Sequence, residues 1–218
     1  MLEPGVAGYL FVLGMAAGLV VLLLTCYLSV SPPWLRWLLL ISGMLAAGRY
    51  VVMALFAVAS NPQALWGIRW CWFGTSIGLT LPAVVALDQL VRHPAMTPKK
   101  LVQGYAPFAA AYLAAILLGS YELAADPLAG QSPRLVGWGR WLLAATHSVF
   151  AAGFVWLAAM VCRKVPVPRI RMALGMLMAA YAYLWLDGIL QRPCLYSELL
   201  AMGALWFALE TARRQALA

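Results

Sequence analysis

Six side chains with chemistry to offer stand inside or at the edges of long apolar runs: Arg49, Arg69, Arg140, His147, Asp187 and Glu198. Arg49 is followed by apolar residues up to Ser60, and Arg69 lies between Ile68 and Trp70. A charge at hydrocarbon depth costs about 2.5–3.5 kcal/mol on insertion scales, so it normally faces other protein and finds a partner. Two kinds of chemistry fit. Arg49 pairs with Asp187 or Glu198 and fixes helix packing, or Arg49, His147, Asp187 and Glu198 together line a ligand-binding cavity for a polar or anionic molecule, with Thr75 and Ser76 near them. Arg69 and Arg140 suit interfacial anchors whose heads snorkel to lipid headgroups.

Other reactive residues point to less. His147 is a candidate pH switch or a metal or haem ligand, but the only other histidine, His93, falls in a loop at the opposite end. A structural hydrogen bond is the simpler role. Cys26 and Cys162 fall at inner span ends, while Cys71 and Cys194 fall near the outer face, where a disulfide is open to them. No CxxC or Cys/His spacing suggests zinc. "GTSIG" (74–78) superficially resembles a serine-nucleophile context, yet that mechanism needs a strand-turn-helix elbow, and Ser76 sits in mid-helix. Phosphate loops, paired-carboxylate motifs and HExxH are missing. The reading is a non-catalytic protein with no cofactor and no metal.

The elements that must position these groups follow from composition. The chain has 218 residues, 65% of them hydrophobic and 10% charged, with a mean hydropathy of +0.87. Soluble domains carry about 25% charged residues, so the solvent for this chain is lipid. Its 15 Lys+Arg against 7 Asp+Glu cluster between apolar stretches, which fits the positive-inside rule rather than nucleic acid. Seven runs reach the roughly 20 residues that a ~30 Å core requires: 9–30, 34–59, 65–91, 101–118, 138–161, 170–190 and 195–212. Ser31-Pro32-Pro33, Asn61-Pro62, His93-Pro94 with Thr97-Pro98, the stretch around Asp126-Pro127, Pro166 with Pro168, and Arg192-Pro193 separate them. Unalternating runs favour helices over a barrel. The first run, with Glu3 and no basic residue ahead of it, reads as a retained span rather than a cleaved signal.

Ten of the fifteen basic residues fall on one side: Arg36, Arg92, Lys99, Lys100, Arg163, Lys164, Arg169, Arg171, Arg213 and Arg214. The expectation is an all-α, single-domain bundle of seven transmembrane helices spanning residues 1–218, N-terminus outside and C-terminus cytoplasmic. That topology puts Arg49 near mid-depth on span two and His147 two turns into span five. Asp88 and Glu210 fall near inner ends, solvated or within reach of loop arginines. No internal repeat is evident, which argues against a repeat-built transporter. Trp34, Trp37, Trp66, Trp70, Trp138 and Trp141 mark an aromatic belt. Trp72, Trp156, Trp185 and Trp206, with Tyr181 and Tyr183, fall deeper and either pack helices or line an aromatic cavity. Gly43, Ala46, Ala47, Gly74 and Gly78 permit close helix approach.

Three segments carry a resemblance. "NPQALWGIRWCWFGTSIGLTLPAVVAL" (61–87) has a tryptophan-led entry and Pro82 in its inner half. "RHPAMTPKKL" (92–101) is a basic, proline-containing turn, and "VPVPRIRMALGML" (165–177) leads into span six. With the seven-span layout, these resemble the seven-helix sensor region at the front of many bacterial histidine kinases and diguanylate cyclases. The resemblance covers nearly the whole chain and implies a multi-pass protein of the bacterial inner membrane. It also implies a helical linker and output domain after span seven, where this chain ends in "ETARRQALA". The resulting expectation is a sensor or receptor-like protein that detects a ligand or membrane state from outside and signals through a cytoplasmic partner. The alternatives are an accessory or structural subunit of a larger membrane complex, and a transporter component.

Overall fold

A computed structural model describes residues 4–92, 97–126, 130–189 and 195–217. Helices α1 (Pro4–Tyr27) and α2 (Pro33–Val58) form an antiparallel pair joined at the Pro32-Pro33 turn. The third apolar run is not one uniform helix. It begins as a 3-10 helix over Pro62–Phe73, turns through Gly74 into a short α3 (Thr75–Gly78), and continues as α4 (Thr80–Val91). Then come α5 (Pro98–Leu118), strands β1 (Ser120–Asp126) and β2 (Gly130–Val136), α6 (Gly137–Lys164), α7 (Pro168–Ile189) and α8 (Leu195–Leu217).

Among the described residues, five helical stretches are long and apolar enough to cross a membrane: Ala7–Tyr27, Pro33–Val58, Pro62–Val91, Pro98–Leu118 and Gly137–Lys164. Helices α7 and α8, at 22 and 23 residues, have the length at ~1.5 Å per residue but carry charges at both ends. Of the two, α8 is well enclosed, whereas α7 turns Met172, Met176, Tyr183 and Leu186 outward. Ala173, Leu174, Leu177, Ala180, Tyr181 and Leu184 make a buried stripe on α7, and α8 packs against α1, α4 and α7.

The all-α expectation requires one correction. The stretch read as a polar breaker folds into an antiparallel hairpin, with Ser120 opposite Val136 and Glu122 opposite Arg134. Two alanines sit side by side in β1, and Pro133 interrupts β2; a proline is tolerated because this two-strand sheet is all edge. The hairpin packs on the 3-10 segment, where Tyr121 meets the rings of Trp66 and Phe73. It caps one end of the bundle.

The opposite end collects the basic residues. Arg92, at the close of α4, reaches the Ala212 carbonyl on α8, and the Cys162 thiol on α6 faces the Arg171 carbonyl on α7. Glu210 accepts from Arg213 at 2.8 and 3.1 Å and from Arg214 at 2.7 Å, an i,i+3 and i,i+4 arrangement within one helix. Its partners therefore come from its own helix rather than from a loop. Asp88 is not met by the Arg92 side chain four residues on, which turns to Ala212 instead.

Between the ends, span three is held where its helix is interrupted. Pro82 lies in the first turn of α4, where its missing N–H is least costly. The Tyr181 hydroxyl donates to the Leu79 carbonyl at 2.6 Å, and Thr80 Oγ1 donates to the Ser76 carbonyl at 2.5 Å. Side chains from neighbouring turns and helices thus serve backbone groups that lipid cannot.

Candidate functional site

The site begins with two glycines. A Cβ on Gly78 would lie 2.8 Å from both the Ala46 Cβ and the Ser42 carbonyl oxygen, and one on Gly74 would collide with the Leu45 carbonyl. Only glycine lets α3 lie this close to α2. The close approach sets the Trp72 carbonyl, at the end of the 3-10 segment, against the next turn of α2, which carries Arg49.

Arg49 Nη1 donates to that Trp72 carbonyl, and its guanidinium lies 5.9 Å from the Trp72 ring centroid. The other edge of the guanidinium faces Glu198 on α8. Nε stands 3.1 Å from Oε2 and Nη2 stands 3.1 Å from Oε1, a two-point pairing of the planar fork with the carboxylate. Glu198 accepts two further bonds, from the Tyr50 hydroxyl at 3.1 Å and from Thr75 Oγ1 at 2.9 Å. Arg49, Tyr50, Trp72, Thr75 and Glu198 are all buried. One carboxylate therefore gathers four donors from α2 and α3 onto the first turn of α8.

Electrostatically, the arrangement is self-sufficient. Removing two charges from water costs several kcal/mol per ion, and their attraction offsets this only when geometry is good and the remaining lone pairs are occupied. Both conditions hold at Glu198. Of the two counter-charges expected for Arg49, the ion pair forms with Glu198.

Asp187 and His147 lie elsewhere. Asp187 is buried and continues the inward stripe of α7 one turn beyond Leu184. Its neighbour Gly188 abuts His147, whose Cδ2 is 3.8 Å from where a Gly188 Cβ would sit. His147 Nδ1 stands 3.3 Å from the Tyr112 hydroxyl on α5, the hydrogen-bonded setting expected of a structural histidine. Among the described residues, neither Asp187 nor His147 bonds to Arg49 or Glu198. The four residues thus do not converge on one site: Arg49 and Glu198 pair across α2 and α8, and His147 bonds Tyr112 instead.

Arg69 is half-buried, donates to the Trp66 carbonyl at 2.7 Å, and lies 4.9 and 5.2 Å from the centroids of the mutually perpendicular Trp66 and Tyr121 rings. Arg140 lies 5.9 Å from the Trp141 ring centroid. The deep aromatics do not act as one set. Trp156, Trp206 and Tyr183 point outward at 65, 39 and 41% exposure, whereas Tyr181 is enclosed with Phe150 and Phe154. Ser76 lies in α3 with no strand leading into it. Cys194 and His93 fall outside the described residues, and with them the suggested Cys71–Cys194 bond. Among the described residues no three His, Cys, Asp or Glu side chains converge as a metal site would require.

Sequence reasoning singled out Arg49 and Glu198 and passed over Tyr50 and Trp72 as partners. A tyrosine beside an apolar run looks like packing material, and a backbone carbonyl has no sequence signature. Compared with known proteins, the chain matches no family model, no curated protein and no solved structure.

Proposed function

We propose that this is a seven-span membrane protein of the sensor or receptor class, in which α8 relays events at the Arg49–Glu198 cluster to a cytoplasmic partner. One observation carries the reading. The same helix that holds Glu198 in four hydrogen bonds at one end carries Glu210, Arg213 and Arg214 at the other. Between them α8 is buried against α1, α4 and α7. An input that weakens the cluster, by drawing Arg49 to an anion or protonating Glu198, frees the start of α8. Such an input shifts populations only as far as it favours the freed packing over the latched one.

The orientation belongs to the same proposal. The basic residues gathered around the ends of α1, α4, α6 and α8 favour a cytoplasmic location for that face. With seven spans, of which α8 packs inside against α1, α4 and α7, the two ends of α8 lie on opposite sides of a bacterial inner membrane. The resemblance to kinase and cyclase sensor regions points the same way, because in those the last span continues into a helical linker and a cytoplasmic output domain.

Cys26 makes the relay measurable. It is buried at 6% exposure in the cleft where α1, α4 and α8 meet, beside Arg92, Leu209 and Arg213. In a chain with the other three cysteines replaced by serine, Glu198→Gln should increase the rate at which a maleimide modifies Cys26. Equal rates in the two chains would show that α8 does not couple the cluster to this end. A cysteine at Ala216 should react with a membrane-impermeant maleimide in inverted vesicles and not in intact cells; the reverse would overturn the orientation.

A further inference from the structure

The contacts of α5 leave a cleft. This helix packs along α6 but touches α4 only sparingly, and an apolar groove of about 650 Å³ opens between the three. Val84, Leu87, Phe108, Phe150, Phe154 and Leu157 are among its walls, and its floor is the aromatic cluster in which Phe150 meets both Tyr105 and Phe108 edge-on. Two lining residues are glycines, Gly104 and Gly153, where an added Cβ would meet nothing within 4 Å. The space beside them is open.

Its length and its rim identify what fits. On α6 the groove runs from Val149 to Val161, a rise of ~18 Å at ~1.5 Å per residue. That is close to one leaflet of a hydrocarbon core ~30 Å thick. At one end the walls become polar, with Asp88 and Lys100 in the lining. Lys99 adjoins Lys100, and Arg163 with Lys164 follows Val161 within one helical turn; all three are exposed. That end of the groove, its mouth, thus has four basic residues in or next to its lining against one carboxylate, and the opposite end stays apolar. An amphiphile with one leaflet-length chain in the groove and a negative headgroup at the mouth satisfies both parts.

We propose that the α4–α5–α6 groove is a binding site for an anionic phospholipid of the bilayer. Its acyl chain lies along Phe108, Phe150 and Leu157, and its phosphate is held by Lys99, Lys100, Arg163 and Lys164. The site is separate from the Arg49–Glu198 cluster and does not depend on the signalling role. Juxtamembrane basic residues each contribute about 1 kcal/mol toward an anionic surface, so each basic side chain removed weakens headgroup preference about five-fold.

Native mass spectrometry of the full chain in detergent, titrated with phosphatidylglycerol, phosphatidylethanolamine or phosphatidylcholine of matched chains, tests this. The wild-type chain should retain one phosphatidylglycerol in preference to either zwitterionic lipid. The groove-filling pair Gly104→Phe and Gly153→Phe should lose that adduct. The triple variant Lys99→Gln, Arg163→Gln, Lys164→Gln, whose changes are all at exposed positions, should keep an adduct but no longer favour the anionic lipid. Equal retention of all three lipids by the wild-type chain overturns the proposal. So does preference for phosphatidylethanolamine, which would assign the mouth to Asp88 and an ammonium group. An undiminished phosphatidylglycerol adduct in the groove-filled chain, or an undiminished preference in the triple variant, overturns it equally.

Discussion

At the scale of single residues, the buried carboxylate of Glu198 governs what its neighbours are worth. Its four donors are unequal: two come from a guanidinium and two from neutral hydroxyls. A hydrogen bond to a charged group such as this carboxylate contributes about 1.5–3 kcal/mol. Tyr50→Phe and Thr75→Ala should therefore each destabilise the fold within that range, as read by reversible unfolding in mixed micelles. Loss of more than the charged partner costs would mean that the hydroxyls, not Arg49, hold the carboxylate. Arg49 was legible in the sequence because a charge inside an apolar run demands an explanation. Its partner was not, because Asp187 and Glu198 fall at similar depth on adjacent spans. What separates them is tertiary packing, which brings Glu198 within 3.1 Å of the Arg49 guanidinium and leaves no trace in sequence periodicity.

Individual elements show where apolar patterning suffices and where it does not. The long helices were visible because runs of apolar residues closed by prolines leave few other solutions in lipid. The 3-10 course of residues 62–73 was not, since a run of tryptophans and small residues reads alike at either pitch. At ~2.0 Å per residue a 3-10 helix extends farther than an α-helix with the same residues, and these twelve carry Arg69 up to the Tyr121 ring. The hairpin escaped notice because its strands lack alternation and contain a proline. Gly74-x-x-x-Gly78 was readable as a packing motif, and the contacts of α2 and α3 give it content. Gly78→Val must displace Ala46 or the Ser42 carbonyl, so it should destabilise by about 1–3 kcal/mol, the usual cost of overpacking. Gly48→Ala, on the same α2 but in open space, should leave stability unchanged or slightly raised. Similar losses at both positions would mean that α2 and α3 do not approach this closely.

Across the whole molecule, the bundle is organised around the last helix rather than the first. The apolar helices α1, α2, α5 and α6 present large outward faces, including Phe11, Trp37, Leu118 and Trp156, as helices in contact with lipid do. Helix α8 hides most of its surface and holds its charges in bonds at both ends. Such a centre can be a static staple or a movable relay, and both require that Arg49 and Glu198, 149 residues apart, stabilise the fold jointly. The most direct measurement is a double-mutant cycle of Arg49→Met and Glu198→Met, followed by reversible unfolding. Each single change should cost about 3–5 kcal/mol, because it leaves the partner charge buried and alone. The double variant should cost no more than either single one. Additive losses, or single variants as stable as the parent chain, would contradict the buried pair on which the rest of the account is built.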